Sequence, residues 1–218
     1  MVPDHPMGFT VVRVPFFLEP DYPTDPSFEE TNRVRLIRKW GGKAGWEAQK
    51  KRHGLKERGQ EVGIEKFNLD RIASNTLASH RLVQWVTKTL GINAAESMYN
   101  SLNKLHFEDG QKLNNQRMLI EEAVKVGADA EEARTFLESD AGKPEISAAQ
   151  EKLRELGVNG IPTLILGGRW QLPSGAVGSS TIVDAFRQIE AMGGATGSVF
   201  AEALQLPEKV MQETLTLS

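Results

Sequence analysis

Residues with strand character occur only toward the two ends of this chain, and everything between about Ser27 and Leu156 follows helical periodicity. A sheet formed by such a chain must join strands far apart in sequence, with the helical block inserted between them. The first segment runs from Phe9 to Leu18, where Val11, Val12, Val14, Phe16, Phe17 and Leu18 give β-branched and aromatic density over strand length. Pro15 lacks a ladder donor and confines that strand to an edge or an end. The second segment predicts a hairpin: Thr163-Leu164-Ile165-Leu166, a two-residue Gly167-Gly168 turn, and the return strand Arg169-Trp170-Gln171-Leu172.

Caps and glycines divide the helical block. Ser74 or Asn75 opens a helix that Gly91 ends, and another runs from about Ala94 to Phe107. Asn114 or Asn115 opens a helix that stops at Gly127, and Asp129 caps the next. Pro144 suits a first helical position, with Gly157 as the stop. Between Arg33 and Gly63, four glycines interrupt a basic stretch that reads as a charge-rich, solvated helix pair. Ser179 or Ser180 caps a last helix ended by Gly193-Gly194, and the tail beyond carries one further helix around Pro207 to Thr214. Residues 9–26 and 157–192 therefore form a sheet portion, 27–156 an inserted helical domain, and 193–218 a tail.

The 218 residues contain no cysteine, which removes disulfides, thiolate nucleophiles and sulfur-based zinc sites. With 26 Lys+Arg against 29 Asp+Glu, the net charge of -3 offers no electrostatic footprint for nucleic acid or an anionic membrane. Pro3, Asp4, His5 and Pro6 stand where a signal peptide needs a basic start and an apolar run, which predicts a cytoplasmic or otherwise intracellular protein. His5, His53, His80 and His106 share no helical spacing that would make a metal site. The one basic stretch spans Arg33, Arg35, Arg38, Lys39, Lys43, Lys50, Lys51, Arg52, Lys56 and Arg58, with Trp40 and Trp46 interleaved, and it predicts either solvated helices or a basic interaction face.

Asn159-Gly160-Ile161-Pro162-Thr163, followed by the hairpin, Ser174-Gly175-Ala176 and a closing helix, resembles the C-terminal half of the thioredoxin fold in DsbA-like, FrnE-type oxidoreductases. Val14-Pro15-Phe16-Phe17-Leu18-Glu19-Pro20 resembles their second strand. The stretches Ser74 to Leu82 and Leu105 to Gly110 resemble a helix start and an inter-helix turn of the same family. The resemblance implies an α/β, thioredoxin-like (DsbA-type) mixed sheet with a large all-helical insertion. It also implies a cis proline at Pro162 and a ligand-binding loop at Gly160, Ile161, Pro162 and Thr163, with Ser174 and Gly175 beside it. An extended peptide or glutathione would pair with the backbone of Ile161 there.

The departure from the family is large. Only Met1 to Gly8 precede the segment that resembles the second strand, and the expectation is that these 218 residues lack the first strand, the Cys-x-x-Cys pair and its helix. Without thiols the family's thiol-disulfide exchange cannot run, and no residue is a candidate for catalysis. Kappa-class glutathione transferases and hydroxychromene carboxylate isomerases use a serine at the corresponding helix start, and no residue here matches it. Val177 replaces a polar glutamine usual in FrnE-type members, which weakens the glutathione reading. A sheet lacking its central strand exposes backbone and apolar faces. Met1 to Gly8, another copy of the chain, direct pairing of Val11-Phe17 with Thr163-Leu166, or an upstream piece would fill the gap, and self-association follows as an expectation. The functional expectation is a redox-inactive peptide- or protein-binding or assembly module, or a truncated family member. A glutathione-dependent isomerase or transferase and a basic-face interaction protein are the alternatives.

Overall fold

In the computed structural model, which describes residues 8–64 and 66–216, residues 8–17 form no helix and join no ladder. The sequence predicts a strand over Phe9 to Leu18, and the difference has a physical cause. Among the described residues no strand pairs with it; one tail amide, Leu215 N–H, takes the Phe9 carbonyl at 2.9 Å, and helix side chains take two others. Gln84 Nε2 donates to the Arg13 carbonyl at 2.6 Å and Gln150 Nε2 to the Pro15 carbonyl at 2.5 Å. Met1 to Met7, including the His5 position and most of the Met1 to Gly8 segment, lie outside the described residues.

The described residues hold two antiparallel two-stranded ladders. The first pairs β1 (Glu30–Thr31) with β2 (Ile72–Ala73), in the register Glu30↔Ala73 and Thr31↔Ile72. The sequence predicts only helices over 27–156, and strands of two residues are too short to show a period. The second is the hairpin of β3 (Ile165–Leu166) and β4 (Trp170–Gln171), register Ile165↔Gln171 and Leu166↔Trp170. Its loop is Gly167-Gly168-Arg169, one residue longer than the predicted turn, with Arg169 N–H donating to the Leu166 carbonyl at 3.2 Å.

The chain divides into two compact units. One comprises residues 1–18, 84–93 and 140–218, and the other residues 19–83 and 94–139. The first unit holds the hairpin, α8 (Lys143–Glu155) and α9 (Ser179–Ala191). Ala149, Leu153, Val158, Phe200 and Leu204 form its core, with Val12, Val14, Phe16, Leu156 and Ile165 packed against them. Pro144 lies in the first turn of α8. Gly178, not Ser179 or Ser180, caps α9, and no side chain accepts its first amides. In the tail, α10 (Glu208–Met211) begins after Pro207.

The second unit contains three short helices where the sequence predicts a pair: α1 (Asn32–Lys39), α2 (Lys43–His53) and α3 (Leu55–Glu61). They are less solvated than their charge implies, because Trp46 and Arg35 are buried. Two longer helices, α4 (Leu77–Leu90) and α5 (Ile92–Phe107), give residues to both units. Asn75 supplies the first cap of α4, its Oδ1 accepting from Leu77 N–H at 2.8 Å. Asn115 caps α6 (Gln116–Lys125), and Asp129 caps α7 (Ala130–Glu138) by accepting from the amides of Glu131 and Glu132, both at 2.9 Å. Helices α6 and α7 pack on one another, with Leu119, Ala123 and Ala133 fully buried.

Candidate functional site

The loop that enters β3 and the loop that leaves β4 are held together by side-chain and main-chain bonds. Thr163 Oγ1 donates to the Gly160 carbonyl at 2.8 Å, and the Thr163 and Ser174 hydroxyls are 2.7 Å apart. One turn away the Gly175 N–H donates to the Pro162 carbonyl at 2.8 Å. Leu172 N–H donates to the Leu164 carbonyl, also at 2.8 Å, and continues the hairpin pairing toward the loops. Five of the six predicted site residues, Gly160, Pro162, Thr163, Ser174 and Gly175, are thus joined in one small network.

The sixth, Ile161, is what this network presents. Its peptide bond to Pro162 is cis. The residue is 51% exposed, ahead of a hairpin in which Leu166 is buried and Ile165 and Trp170 are half-buried. Neither its N–H nor its C=O has a main-chain partner among the described residues. An exposed donor and acceptor on one residue, fixed in direction by the bonded neighbours on both sides, are the elements of main-chain recognition of an extended segment.

A family model described as the DSBA-like thioredoxin domain matches residues 7–187. The chain belongs to this DsbA-like family. A solved structure of a probable DsbA oxidoreductase from Streptomyces coelicolor is similar, with a TM-score of 0.69 at 26% identity over 83% of this chain and 74% of that one. No curated protein matches. The DsbA-like fold is built here without a single cysteine in the 218 residues, so they supply neither the attacking thiolate nor the leaving thiol of disulfide exchange.

The second unit of this DsbA-like chain holds a separate cleft of about 520 Å³ lined by Glu19, Asp21, Tyr22, Phe28, Glu29, Glu30 and Arg38. Its charges are largely internal. Arg35 pairs with Glu19 at 2.7 Å, Arg38 with Glu30 at 2.9 Å, and Lys112 with Glu29 at 3.1 Å. Tyr22 donates its hydroxyl to Glu30, and burial together with that carboxylate pushes the phenol up to about 12. The Arg38 guanidinium holds Glu30 below the usual carboxylate range. Sequence reasoning did not single out this cleft, because its residues are separated by prolines and a helix start and share no period.

The basic stretch is not one open face. Arg33 forms a bidentate pair with Asp70 at 2.7 and 2.9 Å, Arg35 and Arg38 are engaged as above, and Arg33 and Lys50 both stand over the Trp46 ring at 5.4 Å. The side chains of His53 and Lys56 lie outside the described residues. His106 faces Arg71, whose Nε donates to its Nε2 at 3.2 Å, while Nδ1 meets the Gln111 carbonyl at 2.9 Å. Among the described residues no group of three or more His, Asp or Glu side chains is placed to hold a metal ion. Among the described residues no helix is long and apolar enough to cross a membrane.

Proposed function

We infer that this chain is a redox-inactive member of the DsbA-like family that binds an extended peptide by strand addition at Ile161. The observation that carries the reading is the exposed main chain of Ile161, without a main-chain partner among the described residues, between two anchored neighbours. Strand addition draws its affinity from main-chain hydrogen bonds and its selectivity from the side chains at alternate positions. An edge of this kind tolerates many sequences, as a module for unfolded or flexible segments requires. Binding without exchange chemistry leaves the captured segment chemically unchanged.

Glutathione is a weaker fit to the same loops. The groups that the resemblance assigns to its glutamyl end are already used inside the protein: Ser174 shares its hydroxyl with Thr163, and the Gly175 amide is given to Pro162. A basic-face interaction is also less well supported, since Arg33, Arg35 and Arg38 each hold a carboxylate.

Calorimetric titration with an extended, cysteine-free peptide tests the proposal. Heat of binding is expected for the native chain and is expected to vanish in Ile161→Pro, which deletes the amide donor. Heat from glutathione but none from peptide would reject the reading in favour of a glutathione-dependent protein.

A further inference from the structure

The family match ends at residue 187, yet the residues beyond it are as deeply buried as any in the first unit. Phe200 is 3% exposed, and Leu204 and Val210 are fully covered. Phe200 and Leu204 belong to the same apolar cluster as Val12, Val14 and Phe16 of the N-terminal segment, together with Ala149, Leu153, Leu156 and Val158, Ile165 of the hairpin, and Val199 and Leu206 of the tail. Val12, Val14 and Phe16 stand at alternate positions and all pack against this one cluster. Without a cover, these side chains would be an apolar edge open to other molecules.

The tail is fastened at both ends. At its start Thr196 N–H donates to the Gly167 carbonyl at 3.3 Å, and the Gly197 carbonyl lies where a Cβ on Gly168 would be. Gly168 has φ +85°, so both its backbone and its missing side chain are needed for this approach. Toward its end, Asn93 grips the main chain in both senses, donating to the Thr214 carbonyl at 3.2 Å and accepting from Thr216 N–H at 2.8 Å. The Glu213 carboxylate accepts the Ile92 N–H at 2.8 Å, at the first turn of α5, where a negative charge is favourable. Leu215 N–H donates to the Phe9 carbonyl at 2.9 Å, and Thr10 donates its hydroxyl to the Glu213 carbonyl.

We propose that residues 196–216 are an intramolecular strap that stands in for a sheet neighbour of residues 9–17, is clasped by Asn93 and Glu213, and keeps the chain monomeric. The strap shares with Ala149, Leu153 and Val158 the cover of the apolar face on which the expectation of self-association rests. The proposal is independent of peptide binding at Ile161, which involves none of these residues.

Sedimentation and amide hydrogen exchange on the full chain test it. The native protein is expected to sediment as a monomer, with the amides of Leu204, Leu206 and Leu215 strongly protected. Glu213→Ala, which loses one hydrogen-bonded contact, is expected to speed exchange at Leu215 and Thr216 by about tenfold, and Asn93→Ala, which loses two, by more, while α6 and α7 keep their protection. Rapid exchange of the tail in the native chain would overturn the proposal even if a variant failed to fold. Unchanged exchange in both variants, or cross-links between the tail of one copy and residues 9–17 of another, would do the same.

Discussion

The hydroxyls of Thr163 and Ser174 meet at 2.7 Å and tie the loop before β3 to the loop after β4. Thr163 donates its own proton to the Gly160 carbonyl, so Ser174 is the donor between the two hydroxyls. The pair therefore has a fixed direction, and it fixes the loop on which Ile161 is carried. Thr163→Val keeps the shape and removes both bonds. It is expected to cost about 1 kcal/mol of stability, measured by urea unfolding, and to weaken peptide binding several-fold. Ser174→Ala is expected to cost less, because its hydroxyl is exposed.

Arg81 is 4% exposed and closes the C-terminus of α7 from a distant part of the sequence. It donates to the carbonyls of Phe136 at 2.9 Å, Ser139 at 2.6 Å and Leu137 at 3.4 Å, and its guanidinium stands 5.0 Å from the Phe136 ring. These carbonyls lie at the negative end of a helix, where a cation is favoured, and that of Phe136 also accepts from the Ser139 N–H and hydroxyl. Arg81→Met is expected to lower the unfolding free energy by about 2–4 kcal/mol in urea titrations. Arg81→Lys is expected to recover part of the loss, since an ammonium cannot reach three carbonyls in one plane.

His106 makes stability depend on pH. Arg71 has only protons to offer, so the histidine Nε2 is the acceptor and Nδ1 carries the proton given to Gln111. Burial pushes the imidazole below its ordinary 6.5, with Arg71 and Arg35 acting in the same direction and the Gln111 carbonyl opposing them. The unfolded chain thus binds this proton more readily than the folded one. Stability rises with pH up to about 6.5 and is lost as pH falls below it. The urea midpoint of the native chain is expected to fall through this range more steeply than that of His106→Gln.

Tyr22 acts at the alkaline end. Its phenol is raised to about 12 by burial and by the Glu30 carboxylate, whereas in the unfolded chain it ionises near 10. The unfolded state therefore loses this proton first, and stability falls as pH rises from about 10 toward 12. Ultraviolet titration of the native chain is expected to show a tyrosine transition near 12 that is absent from Tyr22→Phe.

Much of the architecture was legible because it is written locally. Asn75, Asn115 and Asp129 each cap a helix within three residues of the amides they bind, so their signals survive without tertiary context. The site network was legible through the resemblance alone, since nothing in the spacing of Gly160, Thr163 and Ser174 distinguishes them from ordinary turn residues. What remained hidden depends on distant partners. Gln84 and Gln150 look like solvent-facing helix residues until their amides meet Arg13 and Pro15. Trp46 lies in a sequence rich in Lys and Arg, and its burial follows from packing that charge density does not reveal. In the tail, Phe200 and Leu204 stand outside any regular helix and are buried by a cluster made with distant segments, so their burial is not written in a local period.

Amide chemical-shift mapping during titration with a cysteine-free, unfolded polypeptide tests the central claim most directly, since it reads both binding and its place. The account predicts that Ile161, Thr163 and Gly175 shift first and saturate together, with the polypeptide released unmodified. Shifts confined to the Tyr22, Glu30 and Arg38 cleft, or none at all at saturating polypeptide, would contradict it.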